Sequence, residues 1–372
     1  MMLSLSGISL KSGVEGLVFR RRAVGVIVSV CAVALSACGG STPAAQSSSG
    51  TTAAGSTTTA PKALVPATIA LAVNVLDLAP VGVAQKEGFF KKEGINATVE
   101  VVQGSSVADS ALAAGTVQFS GVSSTAAVLA DAKGLPLESV VSCNIGNTIQ
   151  IFVSKKWLAS HPVSASATTQ EKLASLKGAT VGELSSSDVA VYKLAAKDGG
   201  YSYSQFHTIS FTGQAAAAAA LKNGLIDTFA ASPPATAQLA AEGLGSVLIG
   251  VSSLPLGASQ EYDIVLASRT YAQAHPDVVK GVATAIAMAD NFLTDHPNQA
   301  VPVLVSLFPG FTASELKTSL AETVFSKNGL VTQSNWNDAI QWNVETGAIP
   351  SGSTAKEGVV WTNQYIDTAA LG

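Results

Sequence analysis

A register of glycines and small residues that recurs 109 positions later constrains this chain more than any other feature. Gly104-x6-Ala111-Leu112-x2-Gly115-x-Val117 aligns with Gly213-x6-Ala220-Leu221-x2-Gly224-x-Ile226. Continued without a gap, the same offset sets Ser123 on Ser232, Ala126 on Ala235 and Gly134-Leu135 on Gly243-Leu244. In so alanine-rich a chain the alanines alone would coincide by chance. Glycines and serines in one register point to two related units. Around them, short β-branched runs alternate with Ala/Leu-rich helical stretches. Strands are expected at 67–73, 97–102, 117–122, 137–143, 149–153, 180–183 and 207–209, and helices at 80–87, 107–113, 125–132, 189–197 and 214–222. That order implies parallel sheets with helices on their faces. Two such lobes would point their strand ends at a shared crevice, where open parallel sheets take ligands.

The first segment is an address. Arg20-Arg21-Arg22 precedes a charge-free apolar run over 23–35, too short to span a membrane, and then Leu35-Ser36-Ala37-Cys38. The Leu-Ser-Ala-Cys order resembles a bacterial lipobox. By that resemblance residues 1–37 are a signal peptide and Cys38 is the lipidated mature N-terminus. Residues 39–62 are rich in Ser, Thr, Ala and Gly, with no aromatic residue and no carboxylate, so 38–62 reads as a lipid-anchored flexible tether. With Cys31 lost in the signal and Cys38 lipidated, only Cys143 remains. No disulfide within the mature domain is then expected.

Further residues carry a family resemblance. Gly88-Phe89-Phe90-Lys91-Lys92-Glu93-Gly94-Ile95, Ala111-Leu112-Ala113-Ala114-Gly115 and Gly134-Leu135-Pro136 come first. Leu176-Lys177-Gly178-Ala179-Thr180-Val181-Gly182, Ala220-Leu221-Lys222-Asn223-Gly224-Leu225-Ile226-Asp227 and His275-Pro276-Asp277-Val278-Val279 follow. In this order they resemble the ABC-importer substrate-binding proteins of the nitrate/sulfonate/taurine type, which include thiamine-precursor binders. The resemblance implies an α/β type II periplasmic-binding-protein fold, two lobes joined by a two-crossing hinge. Lobe one would take 63–147 and return at 268–372, and lobe two would take 148–267, with crossings near 147–149 and 267–269. The returning part is expected to be helical from 313, with Trp336, Trp342 and Trp361 packing lobe one. The resemblance further implies an exported, lipid-anchored monomer that hands a small solute to an ABC permease.

Strand-to-helix turns supply the candidate ligand residues. Helix N-termini expose unpaired N–H groups and a partial positive charge that suit anions. Gly104, Ser105 and Ser106, then Ser123, Ser124 and Thr125, stand at such turns in lobe one. Ser185, Ser186 and Ser187 do so in lobe two, and Ser232 and Pro233 by the repeat. Ser, Thr and Asp also favour these places as helix caps, so it is their convergence that marks a site. Asn74 and Asp77 follow the first strand, Asn144 the fourth, and Glu261 and Tyr262 stand at the returning strand. Asp77, Glu183 and Glu261 bring negative charge and no arginine sits in these loops, so a ligand with an amino or ring N–H donor suits them better than an anion. The ligand's charge stays open between a sulfonate- or oxoanion-like solute and a pyrimidine-like one.

Other classes fit less well. Net charge is −4 and aromatics are 6%, which disfavours a nucleic-acid surface. Of four histidines, His161, His275 and His296 precede proline, and none makes a metal spacing with another His or Cys. There is no Gly-x-Ser-x-Gly elbow and no Lys-Ser/Thr phosphate loop. Neither a metal nor a cofactor is expected, and the chain reads as a binder rather than an enzyme. The alternative is an exported enzyme of the same fold acting on a pyrimidine-like small molecule.

Overall fold

The structure, a computed structural model, describes residues 63–371 except Gln103 and Thr212. The expected signal, tether and lipid site at Cys38 lie outside the described residues. Among the described residues ten strands form two five-stranded sheets. The first holds β1 (Val65–Leu71), β2 (Ile95–Val101), β3 (Phe119–Ser123) and β4 (Leu137–Ile145). The second holds β5 (Gln150–Ser154), β6 (Thr180–Glu183), β7 (His207–Ser210), β8 (Thr228–Ala231) and β9 (Gly245–Gly250). The last strand, β10 (Glu261–Ser268), returns to the first sheet.

Their orders, β2-β1-β3-β10-β4 and β7-β6-β8-β5-β9, are the same order written twice. In each sheet four strands run one way and the fourth position runs against them. β10 is antiparallel to β3 and β4, and β5 is antiparallel to β8 and β9. The reversed strand is in each case the one that has just crossed from the other lobe. The expected parallel sheets thus each carry one antiparallel strand. The 109-residue offset carries helix Ser105–Ala113 onto Gln214–Lys222 residue for residue, and β3 onto β8.

β10 also corrects the expected lobe boundary. Residues 261–267, assigned to lobe two by sequence, pair with β3 and β4, so the second crossing is the segment 251–260. The first crossing is 146–149. The crossings lie side by side, joined by Gly146 N–H to Gln260 C=O (2.8 Å), Asn147 N–H to Gly257 C=O (2.7 Å) and Val251 N–H to Ile149 C=O (2.8 Å). The approach demands glycine: a Cβ on Gly257 would sit 1.9 Å from the Val251 carbonyl oxygen.

Both sheets are covered on both faces, as parallel strands require. Along β1, Ile69 and Leu71 enter one core with the long helix Pro276–Asp295, while Ala70 and, one residue past the strand, Ala72 enter the other with Trp336 and Trp361. In the second sheet Ile151 and Val153 face one core and Phe152 the other. Trp342 departs from the expectation. Its helix, Gln333–Glu345, belongs to the returning segment, yet the indole is buried in the lobe-two core with Tyr192 and Val251. That helix also donates from Asn335 to the Ser259 carbonyl in the second crossing (2.7 Å). Beyond Glu345 the chain runs without α-helix to the end of the described residues.

Candidate functional site

A cavity of about 340 Å³ opens where the C-terminal ends of the parallel strands of both sheets meet. Lobe one lines it with Asn74 and Asp77 after β1, Gly104 and Ser105 after β2, Ser123 ending β3, and Tyr262 and Asp263 at the start of β10. Lobe two lines it with Ser185, Ser187 and Asp188 after β6, Gly213 and Gln214 after β7, and Ser232 after β8. Three positions related by the repeat therefore share one cavity: Gly104 with Gly213, Ser105 with Gln214, and Ser123 with Ser232. Position relative to the strand fixes this, because each follows a strand whose direction its sheet sets.

Of the residues expected from sequence, Asn74, Asp77, Gly104, Ser105, Ser123, Ser185, Ser187, Ser232 and Tyr262 line the cavity. Others are placed elsewhere. Ser106 lines an adjoining groove with Glu183 and Phe211. Ser124 is buried and donates to the Glu261 carbonyl (2.7 Å), and Thr125 is buried beside it in the helix. Asn144 lies inside β4, which runs two residues past the expected end. Its Oδ1 accepts from the Asp263 N–H (3.0 Å) and its Nδ2 donates to the Gly146 carbonyl (2.9 Å), so it braces β10 and the first crossing. Glu261 is fully buried in lobe one, with neither carboxyl oxygen partnered. Pro233 does not line the cavity, and Ser186 contributes the first residue of helix Ser186–Asp198.

Asp263, Asp188 and Thr148 were missed as site residues. A register shift between Glu261 and Asp263 sends the second carboxyl, not the first, to the cavity, and no sequence signal marks that shift. Asp188 carried a legible signal, standing three residues after Ser185 in a capping box. Its Oδ2 accepts from the Leu184 N–H (2.9 Å) and Ser185 N–H (3.0 Å). Thr148, in the first crossing, donates to Asp77 Oδ2 at 2.5 Å and lies 2.8 Å from Ser232 Oγ. One hydroxyl on the hinge thus touches a cavity residue of each lobe.

The cavity's charge is carried by carboxyls. Burial raises Asp77 from its usual range to about 6, against the opposing influence of the Thr148 hydrogen bond and of the nearby Ser232 hydroxyl. Burial raises Asp188 to about 7 despite the N–H groups of Leu184 and Ser185, with Glu183 adding to the rise. Asp263 is pushed well up by burial and then by Asp77. Among the described residues no Lys, Arg or His lines the cavity. Cys143 is fully buried, its thiol pushed up by burial and nearby carboxyls, and it does not reach the cavity. Among the described residues no group of three or more His, Cys, Asp or Glu side chains is placed to hold a metal ion.

This arrangement, two α/β lobes with matching turns around one cavity, defines a periplasmic-binding-protein fold. The family model described as "NMT1/THI5 like" matches residues 76–300, and the chain belongs to that family. No curated protein sequence matches the chain. Among solved structures it is similar to the alkanesulfonate-binding protein SsuA from Xanthomonas axonopodis pv. citri, bound to MOPS. The identity is 19%, coverage 81% of this chain and 99% of that one, and the TM-score 0.63. It is also similar to the periplasmic nitrate-binding protein NrtA from Synechocystis PCC 6803 at 15% identity, covering 81% and 87%, with a TM-score of 0.62. The desulfurization enzyme DSZB shares the fold at 12% identity, covering 78% and 94%, with a TM-score of 0.53.

Proposed function

We propose that this chain is the extracytoplasmic solute-binding component of an ABC importer. It captures a small polar organic solute or oxoanion between its lobes and presents it, chemically unchanged, to a permease. The observation that carries the reading is the 340 Å³ cavity built from repeat-related turns of two lobes whose chain crossings lie side by side. A site divided this way is made by bringing the lobes together, and a solute touching both lobes favours the closed arrangement by its differential affinity. The sulfonate- and nitrate-binding neighbours support the role. Among the described residues no helix is long and apolar enough to cross a membrane. In this reading the lipobox-like Cys38 is the lipid anchor, 38–62 the tether, and the chain an exported monomer.

The test is thermal stabilisation by sulfonates, nitrate, pyrimidines and amino acids, followed by titration of the best stabiliser. Ser123 stands at a helix N-cap but makes no side-chain cap bond, so removing its hydroxyl leaves the helix intact. The double variant Ser123→Ala, Gln214→Ala is expected to weaken binding about 10- to 100-fold, one hydrogen bond in each lobe being worth about 1 kcal/mol. Undiminished affinity would place the site elsewhere. A second reading, an enzyme of the same fold, is favoured by two cavity carboxyls poised near neutral pH and by the likeness to a desulfurization enzyme. Conversion of a bound solute would establish it in place of the first.

A further inference from the structure

We propose that the solute held in this cavity carries a protonated amine, amidine or guanidine group, bound by the carboxyls of Asp77 and Asp263. The proposal rests on the solute-capture reading and narrows it to one chemical class.

Asp77 is 1% exposed and lines the cavity. Its Oδ2 is taken by Thr148, while its Oδ1 has no hydrogen-bond partner. A buried carboxyl oxygen left bare costs free energy unless something binds it. Asp263 lines the same cavity, and among the described residues no side chain hydrogen-bonds its carboxyl; its backbone N–H is held by Asn144. The two carboxyls lie close enough for Asp77 to disfavour ionisation of Asp263. Two adjacent acceptors without a protein donor suit a group presenting two or more N–H bonds, with the fork geometry of an amidine or guanidine suiting them best.

The opposing influence is the positive field of the helix starts at Ser105, Ser124, Ser186 and Gln214. Each is worth about half an elementary charge and fades within one turn. The start at Ser186 already carries its own carboxyl, Asp188, on the adjacent N–H groups. Against these partial charges stand three carboxyls and no cation. An anion is repelled by each of these carboxyls that is ionised, whereas a cation supplies the missing charge.

The groups facing Asp77 set the expected pH dependence. They are Asp263 and Tyr262 on β10, and Asp188 at the helix start across the cavity; Glu261, Asp290 and Cys143 lie deeper in lobe one. All are acidic or neutral, so ionising Asp77 meets no cation until the solute arrives. With Asp77 titrating about 6, affinity for a cation should be about tenfold weaker at pH 5 than at pH 7.5.

The experiment titrates the purified protein with guanidinium, methylguanidine, benzamidine and ethanolamine, and with methanesulfonate and nitrate, at pH 5 and 7.5. The expected result is saturable binding within the first set, weakened about tenfold at pH 5 and at least 30-fold by Asp77→Asn. The folded state of that variant is verified by its thermal transition. Binding confined to methanesulfonate or nitrate would overturn the cationic class and leave solute capture standing. Binding by neither set at either pH would overturn the cationic class, and solute capture falls with it if pyrimidines and amino acids also fail to stabilise the protein. Cation binding that survives both Asp77→Asn and Asp263→Asn would remove the assignment to these two carboxyls.

Discussion

Asp77 illustrates how a single residue trades stability for recognition. Its folded-state carboxyl titrates at about 6 against an ordinary 3.8, so the folded protein binds the proton more tightly than the unfolded chain does. Stability from this group is present below about pH 4 and is lost as pH rises through about 6, and Asp188 extends the window to about 7. Without solute, the protein should therefore lose stability from pH 5 to pH 7.5. Asp77→Asn keeps an acceptor for Thr148 and removes the ionising group. It should stabilise the protein at pH 7.5 by about 1–3 kcal/mol, the upper end being the full free-energy equivalent of so raised a carboxyl. Urea unfolding at the two pH values checks this; a destabilised variant at pH 7.5 would contradict it. At this scale the sequence was only partly legible. Ser105, Ser123 and Ser232 were found because each follows a strand in a repeated register. Asn144 and Glu261 were misplaced because the end of β4 and a register shift in β10 decide which side chain reaches the cavity, and both depend on pairing with distant strands.

At the scale of elements, helix ends were the most legible feature. Gly115, Gly134, Gly224 and Gly243 follow helices with φ between 70° and 73°, the left-handed backbone that glycine adopts without steric cost, so the repeat shows in their spacing. Pairing of β10 was not legible, since a strand's neighbours across a sheet are not encoded in its own residues. The crossings impose a separate demand. At Gly257 a methyl group would meet a backbone oxygen at 1.9 Å, and backbone cannot move aside as a flexible side chain can. Gly257→Ala is expected to cost about 2–4 kcal/mol by overpacking, read as a lowered urea midpoint at unchanged slope. A loss under about 0.5 kcal/mol would mean that the crossings are not packed as described.

At the scale of the whole molecule, each lobe contains a strand delivered by the other, and helix Gln333–Glu345 bridges them. Trp342 enters the lobe-two core, Asn335 holds the second crossing, and Lys197 pairs with Glu345 at 3.8 Å. These ties lie beside the crossings, where a hinge motion displaces the lobes least. The lobes should therefore unfold together, with fluorescence and circular dichroism giving coincident transitions; two separated transitions would show that the bridge couples nothing. A bound solute at 100 times its dissociation constant should add about 2.7 kcal/mol to this unit. The most direct test of capture without conversion is to saturate the protein with a defined mixture of small amines, sulfonates and pyrimidines, remove the unbound fraction, denature it, and weigh what is released by mass spectrometry. One compound of unaltered mass, recovered at one equivalent per chain, is the predicted result. A product of changed mass, in the released or in the removed fraction and absent without the protein, would identify an enzyme and contradict the account.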